Sequence, residues 1–120
     1  MSLSLKPDMI QATYVYLTKM PPFIRWRLPP PNELKFRVGK SRHNFAWYST
    51  SGMGRGRKRS ITVSAGRVGR TFCLVETVAH EMIHLHMDVA GLNTGGSHTP
   101  VFNRLAASVC GIHGFDPKTF

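Results

Sequence analysis

The architecture depends most on residues 70–90, RTFCLVETVAHEMIHLHMDVA, where apolar side chains recur at helical spacing. Gly91 follows directly and is typical of the residue that ends a helix. At about 100° per residue, one side of such a helix carries apolar side chains: Val75, Val78, Met82, Leu85 and Val89. The sequence therefore predicts an amphipathic helix that packs this side on the core and carries HEMIH, residues 80–84, on the other.

The polar side of the predicted helix has the spacing of a catalytic zinc site. His80 and His84 are one turn apart and about 40° apart around the axis, so both imidazoles can reach one ion at about 2.0–2.1 Å. Glu81 lies further round the helix, where its carboxylate can take a proton from a water molecule at the metal. HExxH alone is a loose pattern. Its position opposite the apolar side favours a metal site, with Glu81 as general base, over two solvated surface histidines.

The third protein ligand has to come from outside HEMIH. No glutamate follows Glu81, which excludes a glutamate from a downstream helix, and Met87 and Ala90 break the extended pattern HExxHxxGxxH. His98 fits best, because it follows a glycine-containing run and directly precedes Thr99-Pro100, a typical helix start. The other candidates are His86, Asp88, His113 and Asp116. Among these, we expect His86 at the core or its rim and Asp88 beside an imidazole as an orienting partner.

The rest of the chain predicts a single α+β domain over residues 1–120. Helical spacing of Ile10, Tyr14 and Leu17 predicts an N-terminal helix over residues 9–20. Alternating or aromatic-rich segments predict three short strands, at residues 34–38, 44–48 and 61–64. We expect a small three-stranded antiparallel sheet, with residues 49–60 at a hairpin tip, packed on the HEMIH helix. A C-terminal helix should follow, anchored through Phe102, Leu105, Ala106 and Val109.

Charge is the most unusual bulk property of the chain. The net charge is +10, and ten cations but no acidic residue lie between Glu33 and Glu76. A field of one sign attracts polyanions, so we expect residues 35–70 to contact DNA, single-stranded or duplex. The predicted phosphate contacts lie in the glycine-containing loop: Arg55, Arg57, Lys58 and Arg59. Trp47 and Tyr48 have the chemistry to stack on unpaired bases, but we favour a core position for both.

Other features narrow the class of protein. No apolar run approaches the length of a membrane span, and the N-terminus has no apolar segment followed by a signal-peptide cleavage site. The two cysteines, Cys73 and Cys110, are far apart, which predicts neither a disulfide framework nor a zinc ribbon. We therefore expect a cytoplasmic protein with reduced thiols and no membrane partner.

HEMIH, together with His98 in HTPVF (residues 98–102), resembles the SprT-like (Spartan-related) zinc metallopeptidase domain, whose pattern is HExxH followed by a third histidine in an HGxxF-type sequence. The similarity covers about residues 34–115 and includes NFAWY and ITVS. The resemblance implies a zincin-like α+β fold, one Zn²⁺ held by His80, His84 and His98, and a catalytic Glu81. Thr99 stands in place of the family's glycine. With only two cysteines, the chain resembles a minimal form without the C-terminal zinc ribbon.

These observations predict a zinc metallopeptidase that hydrolyses peptide bonds of a protein or peptide substrate through water activated by Glu81. Eukaryotic members of the family that the chain resembles cleave proteins crosslinked to DNA, so the resemblance and the basic segment together predict DNA-associated substrates. The alternative is a nucleic-acid-binding module that contains zinc and has little or no peptidase activity. Glu81 favours the enzyme, because a closed structural zinc site has no need of a general base.

Overall fold

Helices and a small sheet form an α+β fold, as predicted. The computed structural model describes residues 5–40, 46–52, 56–65, 71–92, 98–118 and 120, without the side chains of residues 71–73. The helices are α1 (Pro7–Thr18), α2 (Thr71–Val89) and α3 (Pro100–His113), and the strands are β1 (Leu34–Gly39), β2 (Ala46–Ser51) and β3 (Lys58–Ser64). Two short 3-10 turns, Phe23–Arg25 and Pro31–Glu33, lie between α1 and β1. The predicted strand residues Asn44 and Phe45 lie outside the described residues.

The burial of α2 follows from its apolar side chains. Six of them are almost inaccessible to solvent: Val78, Ala79, Met82, Ile83, Leu85 and Met87. Three of the six lie on the predicted apolar side, and the other three lie elsewhere around the axis, so α2 is covered on more than one side. Val89 is 41% exposed, so its predicted core position is wrong. It is the last residue of the helix, beyond the part that the core covers.

Capping fixes the end of α2 and the start of α3. Gly91 has a φ of +70°, a left-handed conformation that favours glycine, and the N–H of Leu92 donates to the carbonyl of Met87 at 2.8 Å. Thr99 caps α3, since its Oγ1 accepts a hydrogen bond from the N–H of Phe102 at 3.4 Å. Both boundaries were predicted, and they place His98 immediately before the capped end of α3.

The sheet is mixed rather than antiparallel, with strand order β1-β3-β2. β2 and β3 form the predicted antiparallel hairpin, with a tip shorter than residues 49–60 because both strands extend into that range. β1 runs parallel to β3, so the prediction of an antiparallel sheet is wrong for this pair. The reason is that β3 inserts between the two earlier strands. Alternation in the sequence reports which face a side chain takes, and it does not report strand direction.

One face of the sheet packs against helices α1 and α2. Side chains alternate without a break, because the register is continuous along both strand pairs. On the helix side, the ring of Phe36 contacts Tyr14 of α1 with centroids 5.4 Å apart, and Tyr48 packs against the core as expected. The other side of the sheet carries mainly polar and basic side chains: Lys35, Arg37, Trp47, Ser49, Lys58 and Ser60.

α3 is anchored through its apolar residues, as predicted. Phe102 and Val109 are buried, and Leu105 and Ala106 pack against the core cluster. Its far end is closed by Gly114, which has a φ of +77° and donates its N–H to the carbonyl of Cys110 at 2.8 Å. None of the described helices is both long enough and apolar enough to span a bilayer.

Candidate metal centre

Three imidazoles meet where α2 packs against α3. His80 and His84 project from α2, and His98 precedes the cap of α3. One ring nitrogen from each can be chosen so that all three lie within 4.8 Å of one another. Within the described ranges of the chain, no other group of three or more histidine, cysteine or acidic side chains has this spacing. The structure thus brings the three predicted ligands together around a point that can hold a metal ion.

The spacing is somewhat longer than a tetrahedral ion requires. Three nitrogens at about 2.0–2.1 Å from one ion are about 3.4 Å apart. The observed limit of 4.8 Å is about 1.4 Å longer, a difference that rotation of the side chains about χ1 and χ2 can close. The ring centroids are 5.2 Å apart for His80 and His84, 5.1 Å for His80 and His98, and 5.5 Å for His84 and His98.

The ring of Phe102 lies against all three histidines. Its centroid is 5.1 Å from that of His80, 4.6 Å from that of His84 and 4.4 Å from that of His98. Its plane is within 6° of the plane of His98, so these two rings are stacked. Phe102 is itself 3% exposed and is held by the capped first turn of α3. The aromatic position of the HTPVF segment therefore restricts how far the imidazoles can rotate.

Burial keeps the two histidines of α2 uncharged. Desolvation, reinforced by repulsion from His84 and His98, lowers the pKa of His80 from 6.5 to about 4. Desolvation and repulsion from His98 lower the pKa of His84 to about 4 as well. Both rings are therefore neutral at pH 7 and keep a free nitrogen lone pair, the form in which histidine binds metal ions.

Glu81 is buried in the same turn of α2, with 5% of its surface exposed. Desolvation raises the pKa of its carboxyl group from 4.5 to about 8. A pKa near the working pH suits a group that takes up and returns a proton, and such shifts cluster at functional sites. The structure thus places a titratable acid in the same turn of α2 as His80 and His84, although Glu81 is far less exposed than its polar position on the helix suggests.

The site is open on the side of His98. This side chain is exposed, whereas His80 and His84 are partly buried. A cavity of about 300 Å³ adjoins it. The rest of its lining combines apolar side chains with the polar Asn103 and comes from α3 and the segment after it: Phe102, Asn103, Ala106, Ala107, Cys110, Pro117 and Phe120. An exposed histidine next to this cavity leaves room for a side chain of another molecule.

The four other candidate ligands make contacts elsewhere. The ring of His86 stacks on Trp26 with centroids 4.3 Å apart, which agrees with the predicted position at the rim of the core. Nε2 of His113 lies 2.6 Å from the carbonyl oxygen of Pro21. Asp116 accepts a hydrogen bond from the N–H of Lys118 at 2.9 Å. Asp88 bonds to side chains of the sheet, so its predicted role beside an imidazole finds no support among the described residues.

Asp88 ties the β2–β3 hairpin to α2. Its Oδ2 accepts hydrogen bonds from the Tyr48 hydroxyl at 2.6 Å and from Nε of Arg59 at 2.9 Å, and its Oδ1 lies 3.0 Å from Nη2 of Arg57. Burial raises the pKa of this carboxyl group, but the hydrogen bonds and the two arginine charges outweigh burial and lower it overall. The link is one helical turn beyond His84, so it fixes the hairpin close to the metal ligands.

No family model, curated protein or solved structure matches this chain. The chemistry of the site therefore has to be inferred from the residues themselves.

The predicted phosphate contacts do not form one surface. Arg57 and Arg59 pair with Asp88 on the helix side of the sheet. Lys58 lies between them in sequence and therefore takes the opposite face. Arg55 lies outside the described residues. Two of the three described cations of this set thus already have an acidic partner.

Phe120 is the site residue that the sequence did not reveal. Its ring lies 5.2 Å from His80 and 5.6 Å from Phe115, and it forms part of the cavity wall. No spacing rule connects residue 120 with a helix forty positions earlier, so only the folded chain shows this contact. For Asp88, the sequence placed the side chain one turn beyond His84, but it did not reveal the partners in the β2–β3 hairpin.

Proposed function

We propose that the protein is a zinc-dependent endopeptidase. The observation that carries this proposal is the meeting of three imidazoles, with one nitrogen of each within 4.8 Å of the others, where the turn of α2 that carries two of them also contains a buried glutamic acid with a raised pKa. Structural zinc sites are closed by four protein ligands, whereas catalytic sites use three and leave one position open. Three histidines, one of them exposed next to a cavity, fit the catalytic kind.

Zinc fits the donor atoms better than the common hard cations do. Magnesium and calcium prefer carboxylate, carbonyl and water oxygens, and the cluster offers imidazole nitrogens. Imidazole suits zinc, copper, nickel and iron, and among these zinc is the one commonly bound by three protein ligands in hydrolytic sites. The neutral state of His80 and His84 favours binding, since no proton has to be displaced from either ring at pH 7.

Each residue of the site has a role in this proposal. Bound zinc would supply a Lewis acid that polarises the scissile carbonyl group and lowers the pKa of water. Glu81 would take the proton of the attacking water and hand it to the leaving amine, which its raised pKa favours. Phe102 would hold His84 and His98 in position through ring stacking. The cavity beside His98 would accept an apolar side chain of the substrate.

We further propose that the substrates are proteins associated with DNA. A net charge of +10 raises the local concentration of the protein around nucleic acid, and with it around proteins bound there. The competing proposal, a zinc-containing nucleic-acid-binding module with little peptidase activity, uses the same charge. The burial of Glu81 favours the peptidase, because a site that only holds zinc gains nothing from an acid whose deprotonation is costly.

The test measures metal content and peptide hydrolysis on the same sample. Protein freed of metal with a chelator is reconstituted with one equivalent of zinc and incubated with an unfolded basic protein, with and without DNA. Cleavage followed by mass spectrometry should require zinc, and a chelator should abolish it. Stoichiometric zinc binding without hydrolysis under either condition would favour the binding module. Failure to bind zinc would remove both proposals.

A further inference from the structure

An indole ring lies across the face of the sheet that is turned away from the helices. Trp47 belongs to β2, yet a Cβ atom placed on Gly39 of β1 would lie 2.6 Å from Cη2 of the indole and 3.2 Å from its Cζ2. β1 and β2 are not neighbours, because β3 lies between them, so their separation is two strand spacings, about 9–10 Å. A side chain that bridges this distance has to lie along the sheet. The indole therefore cannot project perpendicular to the sheet.

The second face of the indole points away from the protein core. Thr62 lies beneath the ring and is 5% exposed, while Trp47 itself remains partly exposed. Trp47 is not part of the core cluster formed by the described residues, contrary to the core position favoured from the sequence. Helices α1 and α2 reach the opposite face of the sheet, through the Tyr14–Phe36 and Asp88–Arg59 contacts. The ring therefore offers a planar aromatic surface outside the core.

Three cations share this face of the sheet with the ring. Arg37 and Trp47 both pair with Thr62, so they lie in one row across the sheet, and Lys35 lies in the next row on the same face. Lys58 projects from the same face of β3. All three cations are exposed, and none of the residues of the three strands is acidic. This face, called the open face below, thus differs from the helix side, where Asp88 pairs with the arginine charges.

We propose that the open face binds single-stranded nucleic acid, with an unpaired base stacked on Trp47 and backbone phosphates against Lys35, Arg37 and Lys58. Stacking on a side chain requires a base that is not already stacked in a duplex, and a flat ring accepts any base. Charge complementarity selects a polyanion, and the ring selects one that carries planar bases. The site does not use the metal ligands, so it can be tested separately from the proposed peptidase.

The stacking is tested with a fluorescein-labelled oligothymidylate of about 12 nucleotides, within the usual range for one small domain. Fluorescence anisotropy gives the Kd for the full chain and for Trp47→Leu. Loss of one stacked base should weaken binding about 5- to 140-fold. Tyr16→Leu is the matched control, because Tyr16 is an aromatic residue 54% exposed on α1, and it should bind like the unchanged protein. Duplex DNA of the same length is a competitor and should compete less well than the single strand, whereas single-stranded RNA should compete, because it offers the same unpaired bases and phosphates.

The charge contribution is tested with two variants of equal net charge. Lys35→Ser with Arg37→Ser removes two cations from the open face, and Lys6→Ser with Lys19→Ser removes two cations flanking α1. The slope of log K against log salt should become flatter by about 0.7 for each phosphate that is no longer neutralised, and only in the first variant. Gly39→Ala is a third probe. It keeps every charge, and its new methyl group has to displace the indole.

The outcomes decide the proposal in either direction. It is supported if Trp47→Leu and Gly39→Ala weaken binding while Tyr16→Leu does not, with circular dichroism confirming that each variant is folded. It is overturned if the unchanged protein fails to bind at low salt, if the two charge variants weaken binding equally, or if inorganic polyphosphate competes as well as the oligonucleotide. Tighter binding of the duplex than of the single strand would likewise overturn it.

Discussion

Two opposing electrostatic effects act on the carboxyl group of Glu81 at the candidate metal centre. Burial raises the pKa of its carboxyl group to about 8, so the metal-free protein holds it mainly protonated at pH 7. A dication bound by the neighbouring imidazoles would favour the carboxylate and lower that pKa. Zinc binding at pH 7 should therefore release about one proton from Glu81. Calorimetry in buffers with different ionisation enthalpies counts this proton, and Glu81→Gln should release about one fewer. Equal proton release from both proteins would show that the metal does not act on Glu81.

The same substitution separates rate from binding. Glu81→Gln keeps the size and hydrogen-bonding capacity of the side chain but removes the base, so we expect an unchanged fold and full zinc content. Peptide hydrolysis should fall by at least ~100-fold. Both quantities are measured on one preparation, by metal analysis and by a cleavage assay. Loss of zinc would assign Glu81 to the ligand set, and unchanged hydrolysis would place the chemistry elsewhere.

His98 allows the metal to be removed without disturbing the core. It is exposed, so His98→Ala should leave the stability of the metal-free protein nearly unchanged. Zinc at about a hundredfold excess over its Kd stabilises a folded protein by about 2.7 kcal/mol, and this gain should almost vanish in the variant. Thermal unfolding with and without zinc measures the difference. His86→Gln is the control, since His86 stacks on Trp26 away from the cluster, and it should keep the zinc-induced rise in Tm.

The histidine triad could be predicted from sequence because two of its members are fixed by helical geometry. His80 and His84 are four residues apart in one helix, and this spacing brings side chains together whatever the rest of the chain does. His98 depends on the path of the chain between two helices, which Gly91 and Thr99 restrict at either end. Phe120 could not be predicted, since its contact with His80 arises from tertiary packing alone.

At the scale of elements, the link between α2 and the β2–β3 hairpin depends on one carboxylate. Asp88→Asn removes the charge that Arg57 and Arg59 share, and we expect a loss of about 1–3 kcal/mol from the free energy of unfolding at pH 6. The pKa of Asp88 is lowered in the folded state. Its contribution is therefore present above the unfolded pKa of about 3.9 and disappears as the pH falls through the lower folded value.

Urea unfolding at pH 6 and pH 3 measures this dependence. The unchanged protein and Asp88→Asn should differ clearly at pH 6 and approach each other at pH 3. Asp8→Asn is the matched control, because Asp8 is exposed in the first turn of α1, where a carboxylate contributes only about 0.3–1 kcal/mol. A constant difference between the two proteins across the pH range would mean that packing, rather than charge, holds the hairpin to α2.

The strands show why the sequence predicted the elements better than their arrangement. Alternation at Leu34, Lys35 and Phe36 identifies a strand with one buried face, and this holds for either direction of pairing. Trp47 and Tyr48 are consecutive and both aromatic, so residue type alone favours a core position for each. In a strand, neighbours point to opposite faces, and only the register with β3 decides that Tyr48 faces the helices.

At the scale of the whole molecule, the metal-free protein should be sensitive to acid. His80 and His84 have pKa values of about 4 when folded, below the ordinary value of 6.5. At these two rings the unfolded chain therefore binds more protons between pH 6.5 and pH 4. Glu81, with a folded pKa of about 8, acts in the opposite direction but offsets only about one of the two protons, so stability falls as the pH falls through that window. Thermal unfolding with a chelator present should show Tm declining below about pH 6.5. Replacing both histidines by Asn should flatten the decline, and a decline of the same steepness would assign it to other groups.

The mixed sheet also bears on how the protein forms during synthesis. Its middle strand, Lys58–Ser64, is the last of the three in the chain, and the two earlier strands do not pair with each other in the finished sheet. While the first two strands leave the ribosome, neither has a partner edge to pair with. Sheet assembly must then wait for the third strand, and the helix with the metal ligands follows only a few residues later. The strand that completes the sheet and the helix with His80 and His84 therefore leave the ribosome almost together. This shortens the time during which unpaired strand edges can pair with other nascent chains.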